Sequence, residues 1–582
     1  MKYIILDFEV FKYDVLLGTK IITAEDVVTY QTWDKENIKK FYEEHKEDLW
    51  IGHNNIGYDN VILEGILKNR DVFDISKKIV NGIKLKYRIP LYTYDTMRGF
   101  YSLKATEMVV GKNISETPID FDLDRPLTDQ EKKQIEQYNR DDLDQTHENF
   151  IAQYDEFSLR LDLISEFGLS LNDLNFSEAR LGSLALHAKQ VEGIEDMAIE
   201  TKLPPTIQLK NQKVIDFYLN EDFRKKKSIK VNLCNCEHII ASGGIHAALK
   251  KVHFDNALYF DVSGYYNLIM INYDLLPRTM SEESKKLYEF MYHEQLRLKK
   301  INPRKRAVYK TILLCVFGAM SNKYTDFYDP YKGSLVTIVG EIFLVDLLEK
   351  LEGFAQVIQS NTDGIILIPL EGISKEQIIK IVEEWEQRTG FVIKKEEIHN
   401  LWQRDVNNYM FDNQGTPVVR GEIVNTYGKS DAPVLKQAWQ AKEPEIIARG
   451  IVDYLIYNIP PEKTVEKYKR NLVMFQYACK TMSFDYCQYE TIDQDGNKKE
   501  IKLQNINRAF ASNDPNVIGT VIKYKTDENG KLKQTRIQSL PKNVFIYNDD
   551  IREESIIDRL SEKIDYQYYI DRIWERCGEF VE

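Results

Sequence analysis

The segment Tyr3-Ile-Ile-Leu-Asp-Phe-Glu-Val10 sets the strongest single limit on the fold: a strand-length apolar run interrupted by two carboxylates two positions apart. Strand alternation puts Asp7 and Glu9 on one face, close enough to share a divalent cation. Alone, the pair also suits a solvent-facing strand edge, and two later segments weigh against that. Asn55-Ile-Gly-Tyr58-Asp59 follows a short apolar strand and leads into an apolar helical run, which places Asp59 at a helix start beside that strand. Thr128-Asp-Gln-Glu131 has the spacing of a capping box, so a helix starts there and carries Tyr138 and Asp142 on one face, four residues apart. Four carboxylates and a phenol are what two-metal phosphodiester hydrolysis needs. One cation activates water, the other stabilises the leaving oxygen, and the tyrosine positions the water.

A second constellation follows. Ala257-Leu-Tyr-Phe-Asp261 reads as a strand ending in an acid, and a hairpin centred on Ser360-Asn-Thr-Asp-Gly364 holds Asp363 at its tip, between arms Gln356–Gln359 and Ile365–Ile368. Between them two helices hinge at Asn302-Pro303, where the asparagine suits the cap and the proline the first helical position. The second helix carries Arg306 and Lys310 one turn apart, a spacing that holds the phosphates of a triphosphate. Arg297, on the preceding helix, is a third candidate cation. Arg304 and Lys305 read as a solvated basic face.

At 582 residues the chain has room for about three to five domains, and alternating strands and helices over its first 150 residues predict an α/β unit there. The net charge of −13 does not exclude a nucleic-acid partner, because binding depends on where basic residues cluster. Such clusters occur at Arg224–Lys227, Leu296–Lys310 and Lys531–Lys542. The longest apolar run, Thr311–Met320, is far below the roughly 20 residues that span a bilayer. Six scattered cysteines predict a reducing cytoplasm and no disulfide framework. Cys234, Cys236 and His238 lack a second ligand pair nearby and read as buried strand residues.

The first constellation resembles the DEDD-type 3′→5′ exonucleases with a tyrosine in their third motif, through Asp7-Phe-Glu9, Asn55 to Asp59 and Tyr138 to Asp142. The second resembles the family B DNA polymerases, through Asp261 to Asn267, Lys310 to Gly318 and Asn361 to Asp363, and an exonuclease ahead of them is also that family's layout. The short chain and its bias to Ile, Asn, Lys and Tyr make it look like a bacteriophage member. The resemblance implies a multidomain α/β protein: an RNase H-like exonuclease at 1–155, a connecting region at 156–238, palm at 239–280 and 321–427, fingers at 281–320 and thumb at 428–582. It also implies two Mg²⁺ at each site, with Mn²⁺ as a substitute. Asp7, Glu9, Asp59 and Asp142 would hold one pair; Asp261, Asp363 and the Val262 carbonyl would hold the other. Lys310, Arg306 and Arg297 would hold the nucleotide, and Tyr266 would exclude a 2′-hydroxyl. Gly243-Gly244 would approach the template, Tyr409 and Arg420 would grip the primer end, and Asn55 would contact DNA.

By the same resemblance the partners are primer-template DNA, dNTPs, and a phage helicase, primase and single-strand-binding protein. The protein would be a monomer in the cytoplasm of a bacterial host, with no membrane contact. Several positions depart from the family pattern: Gly264 and Asn267 in the first polymerase motif, Leu314, Cys315 and Phe317 in the second, Asn361 in the third, then Asn407 and Ala241. Asp261 to Lys310 spans 49 positions and Gly318 to Asp363 spans 45, too few for the insertions of the protein-primed subgroup. An ordinary nucleic-acid primer and weak strand displacement are therefore expected. The alternative reading keeps the exonuclease and treats the altered polymerase region as a degenerate DNA-holding module. The remainder, with Met474-Phe-Gln-Tyr477, Asp565-Tyr-Gln-Tyr-Tyr569 and the basic stretch near Lys533, suits a thumb of helices and turns on duplex backbone.

Overall fold

The computed structural model describes residues 1–97, 101–117, 119–196, 204–219, 228–241, 243–413, 415–425, 441–492 and 496–581. The basic cluster Arg224–Lys227 and the boundary expected at 427/428 lie outside the described residues.

Three sheets organise the chain. The first comprises β1 (Tyr3–Val10), β2 (Val15–Ile22), β3 (Val27–Thr32), β4 (Leu49–Gly52) and β5 (Tyr92–Asp95), in the order β3-β2-β1-β4-β5. β1 pairs antiparallel with β2 and parallel with β4, and both its faces are covered. Ile4, Leu6, Phe8 and Val10 pack with Ile38, Phe41, Val61 and Ile62 from the helices Lys35–His45 and Asp59–Leu67. On the other face Ile5 packs with Leu143 and Phe150 of the helix Asp129–Ala152. Period-two alternation then aims Asp7 and Glu9 at that same helix, beyond the apolar end of the face. The helix starts at the expected capping box, formed in both directions by Thr128 and Glu131.

The second sheet comprises β6 (Ser228–Leu233), β7 (Cys236–Ala241), β8 (Gly244–Ala248), β9 (Val252–Val262), β10 (Ala355–Asn361), β11 (Gly364–Pro369), β12 (Ile393–Asp405), β13 (Asn408–Asn413) and β14 (Thr416–Arg420). Its order is β14-β13-β12-β9-β11-β10-β8-β7-β6, with every neighbour antiparallel. β6, within the stretch read as a connecting region, thus belongs to this sheet. Cys234, Cys236 and His238 are buried; the Cys234 thiol donates to the Leu348 carbonyl and the His238 ring bonds the Cys236 carbonyl.

Helices Glu282–Arg297 and Pro303–Ala319 form the expected pair, with Asn302 capping and Pro303 opening the second. The helix Pro330–Leu351 is apolar nearly all round, as a helix enclosed by a core must be. Within it Glu341 is 3% exposed and accepts from the Tyr218 hydroxyl at 2.7 Å. Burial pushes its carboxyl from 4.5 up to about 7. Between those two pH values the folded chain holds a proton that the unfolded chain releases, so stability falls as pH rises through this window. Glu341→Gln is expected to remove that fall, worth roughly 3 kcal/mol. Thermal unfolding of both proteins from pH 4.5 to 8 should show the gap widening with pH; a constant gap contradicts the assignment.

The C-terminal stretch departs from expectation. Instead of helices and turns alone, it contains a third sheet: β15 (Tyr477–Lys480), β16 (Tyr486–Ile492), β17 (Lys498–Lys502), β18 (Ile506–Ala511), β19 (Gly519–Thr526), β20 (Leu532–Arg536) and β21 (Val544–Ile546). Helices Glu445–Tyr457 and Tyr566–Cys577 cover it through Ile447, Ile451, Tyr569 and Ile573. Met474, Phe475, Tyr477 and Tyr569, read as DNA contacts, are core residues. The Tyr569 hydroxyl donates to the Phe475 carbonyl at 2.7 Å and accepts from the Ala511 N–H at 3.0 Å, which uses up its polar end inside the fold. No helix of the described residues is long and apolar enough to cross a membrane.

Candidate active sites

Asp7, Glu9 and Asp142 each bring a carboxylate oxygen within 4.8 Å of the others, the one such group of three possible metal ligands among the described residues. Asp7 comes from β1 two positions before Glu9, and Asp142 from the facing helix. The Asn139 amide donates to Asp7 at 2.7 Å and accepts from Gln31 at 2.9 Å. This requires the helix to pass close over β2, where a Cβ on Gly18 would run into the Asn139 amide. Asp59, at its helix start, sits beside the group and accepts from the Phe8 N–H at 3.0 Å. Burial, then the charge of Asp142, pushes Asp7 up to about 7; burial and neighbouring carboxylates also raise Glu9 and Asp59. Buried acids that repel one another and offer only hard oxygens fit a hard divalent cation such as Mg²⁺.

Tyr138 lies one turn before Asp142 on the same helix, with the Lys104 ammonium 4.6 Å from its ring centre. Lys104 donates to Asp142 at 3.0 Å and pairs with Glu107 at 3.0 Å. Sequence reasoning missed this lysine, because nothing in the spacing of the helix Leu103–Val109 ties it to a residue 38 positions later. Asn139 was within reach, as it lies inside the recognised Tyr138 to Asp142 motif. Asn55 is fully buried and donates to the Thr93 hydroxyl at 2.7 Å, while its carbonyl receives the Asn60 N–H at 2.8 Å. In this structure its side chain is enclosed beside the helix that carries Asp59 and is not exposed at the surface.

The second acid pair meets across adjacent strands. Asp261 is the last residue but one of β9 and is register partner to Gly364, the residue after Asp363; the Val262 N–H donates to the Asp363 carbonyl at 3.0 Å. Burial, then Asp261, pushes Asp363 up to about 6. Burial also raises Asp261, against the lowering charge of Lys394. The hairpin turn is made by Thr362 and Asp363, and Thr362 takes the left-handed position at φ 59. A β-branched residue there stores strain on the order of 1–3 kcal/mol. The glycine turn lies alongside: the Thr362 N–H donates to the Ile245 carbonyl, and a Cβ on Gly244 would sit 3.5 Å from the Thr362 hydroxyl.

Tyr266 stacks on Phe317 with ring centres 4.3 Å apart and lies within the field of Asp363. Arg306, Lys310, Leu314 and Phe317 recur at helical spacing on one face of Pro303–Ala319, so the stack orients Lys310 and Arg306 toward the same space. Lys310 is exposed, and neither cation has an acidic partner within 4 Å among the described residues. Arg304 and Lys305 lie on the solvent side as expected, in surface pairs with Asp162 and Glu166. Arg297 pairs with Glu294 at 2.5 Å on its own helix. Two departures gain a reason. Gly264 adopts φ 64 at a helix N-cap, where a Cβ would lie 2.9 Å from the Tyr292 hydroxyl, and Asn267 accepts from the Tyr288 hydroxyl at 2.9 Å. Tyr409 and Arg420 are register partners on β13 and β14, and Tyr409 lies within the fields of Arg420 and Asp363.

No family model and no curated protein matches this chain. Among solved structures it is similar to the family B DNA polymerase from the hyperthermophilic archaeon Pyrobaculum calidifontis, at 14% identity over all of this chain and 78% of that one, with a TM-score of 0.45.

Proposed function

We propose that this chain is a template-directed DNA polymerase with a 3′→5′ proofreading exonuclease, extending a nucleic-acid primer in the replication of a phage genome. One observation carries the reading. Two acid centres lie on different sheets of one chain, and among the described residues only the second is served by a helix presenting cations without an acidic partner and an aromatic stack.

At the second centre a primer 3′-hydroxyl attacks the α-phosphate of a dNTP, the bond to the β-phosphate breaks, and pyrophosphate leaves. Lys310 and Arg306 neutralise its charge, and Tyr409 with Arg420 steadies the primer end. At the first centre water attacks the last phosphodiester, the 3′-oxygen of the preceding nucleotide leaves with a proton, and a nucleoside monophosphate is released. Tyr138 orients that water and Lys104 fixes Asp142. Divalent cations, when bound, activate the attacking oxygen and stabilise the leaving one at both centres. Asp7, Glu9 and Asp142, with Asp59 alongside, would hold them at the first; Asp261 and Asp363 would do so at the second.

Tyr266 supports the choice of deoxyribonucleotides, since a ring pinned by Phe317 leaves no play beneath the sugar. Tyr266→Ala is expected to raise ribonucleotide incorporation relative to dNTPs by about tenfold or more. Single-nucleotide incorporation with matched rNTP and dNTP measures it, and equal changes in both would remove Tyr266 from this role.

A further inference from the structure

Tyr259 and Asp261 are two positions apart on β9 and point to one face of the second sheet, while Leu258, Phe260 and Val262 point to the other and join the main core. On its own face the Tyr259 ring lies at the margin of a small apolar cluster with Ile366, Ile398 and Phe411, its centre 6.1 Å from that of Phe411. Its hydroxyl donates to Oδ1 of Asp261 at 3.5 Å. Among the described residues no other side chain hydrogen-bonds this carboxylate. Lys394, the register partner of Asp261 on β12, pairs with Glu396 and reaches Asp261 only through its field.

Gly364 makes this placement possible. It is the register partner of Asp261 on β11, and a Cβ there would lie 3.2 Å from the Tyr259 ring and 3.4 Å from its hydroxyl. Its φ is not left-handed, so the glycine supplies bare backbone beside the ring and not an unusual turn. The Tyr259 hydroxyl also lies within the fields of Tyr409, Asp363 and Arg420. It stands where the acid pair meets the residues assigned to the primer end. A carboxylate without a hydrogen bond is free to rotate about its last bond. A phenol on Oδ1 restricts that rotation and leaves the second oxygen for a cation. Hydrogen bonds of this kind are often long before substrate is held and tighten in the reacting complex.

We propose that Tyr259 is a positioning residue of the second acid centre: seated against Gly364, its hydroxyl sets the orientation in which Asp261 serves nucleotide addition. The inference rests on the polymerase reading of Asp261 and Asp363.

The test compares the full-length protein with Tyr259→Phe, Gly364→Ala and the double variant in single-nucleotide incorporation on a primer-template with Mg²⁺. Tyr259→Phe keeps the ring and should slow incorporation about tenfold at saturating dNTP, with the dNTP KM within about twofold of normal. Shortening of the primer without dNTPs should be unchanged, since the first centre lies on another sheet. Gly364→Ala crowds the ring and should slow incorporation too. The double variant should be no slower than the slower single one, because both substitutions act through one hydroxyl. Mn²⁺ binding, read from the paramagnetic signal of the free ion, should be several-fold weaker in Tyr259→Phe at the sites that Asp363→Asn removes. Normal Mn²⁺ binding in Tyr259→Phe, losses that multiply in the double variant, or an equal fall in shortening would each overturn the positioning role. If the unmodified protein adds no nucleotide, the polymerase reading fails and the inference with it. If it adds nucleotides and Tyr259→Phe adds them at the same rate, the positioning role alone is lost.

Discussion

An Asp363→Asn variant is expected to lose primer extension by about a thousandfold or more while still shortening the primer when dNTPs are withheld. The substitution keeps the size of the side chain and its place at the tip of the β10–β11 hairpin. It removes one of two half-buried acids, Asp363 in the turn and Asp261 opposite Gly364, whose charges act on one another. Without that charge the pair has half its capacity to hold a divalent cation, and the stabilisation of the reacting phosphate is lost with it. The first centre shares no residue with this pair, so degradation should continue at its normal rate. Gel analysis of a 5′-labelled primer annealed to a longer template, with and without dNTPs, reads both activities in one sample. If both vanish, the damage is to the fold and the separation of sites is not supported.

The converse substitution has the same magnitude and the opposite readout. Asp7→Ala/Glu9→Ala removes two of the three acids that approach within 4.8 Å, and with them the capacity to bind metal at the first centre. Shortening of the primer should fall at least about a thousandfold while extension remains. A gain in stability is expected beside the loss of activity, since burial and the charge of Asp142 raise Asp7, and burial and the charge of Asp7 raise Glu9, in the metal-free protein. Residual shortening near the normal rate would place the nuclease chemistry elsewhere.

Much of the geometry of both candidate sites was legible because their residues sit where local rules are strict. Strand alternation put Asp7 and Glu9 on one face, the capping box fixed the start of the helix that carries Tyr138 and Asp142, and Asn302-Pro303 marked the helical hinge. What was not legible depends on distant segments. Lys104 reaches Asp142 only because the sheet brings its helix back over the site. Gly264 looked like a loss from the motif until Tyr292, on another helix, showed that a side chain would not fit. Thr362 takes a left-handed conformation that its own residue type disfavours, so the surrounding strands decide it.

The third sheet was hidden for a different reason. β17 reads Lys-Lys-Glu-Ile-Lys and is exposed along its length, and β20 is nearly so, which leaves no apolar alternation to mark them as strands. Their sheet is held by a core that draws on helices before and after it, through Ile447 and Ile573. Tyr569 shows the same dependence, since a tyrosine in a run of tyrosines looks like a surface contact until its hydroxyl is found bonded inside that core.

The central claim is that one chain copies a template with one acid centre and edits with the other. The most direct measurement supplies the unmodified protein with Mg²⁺, a 5′-labelled primer on a longer template, and dNTPs one at a time and together. Extension that stops where the template demands the missing nucleotide, and shortening when all four are withheld, is the predicted result. Shortening alone under every condition would contradict it, leaving an exonuclease whose second centre only holds DNA and making Leu314 and Asn361 the first residues to revert.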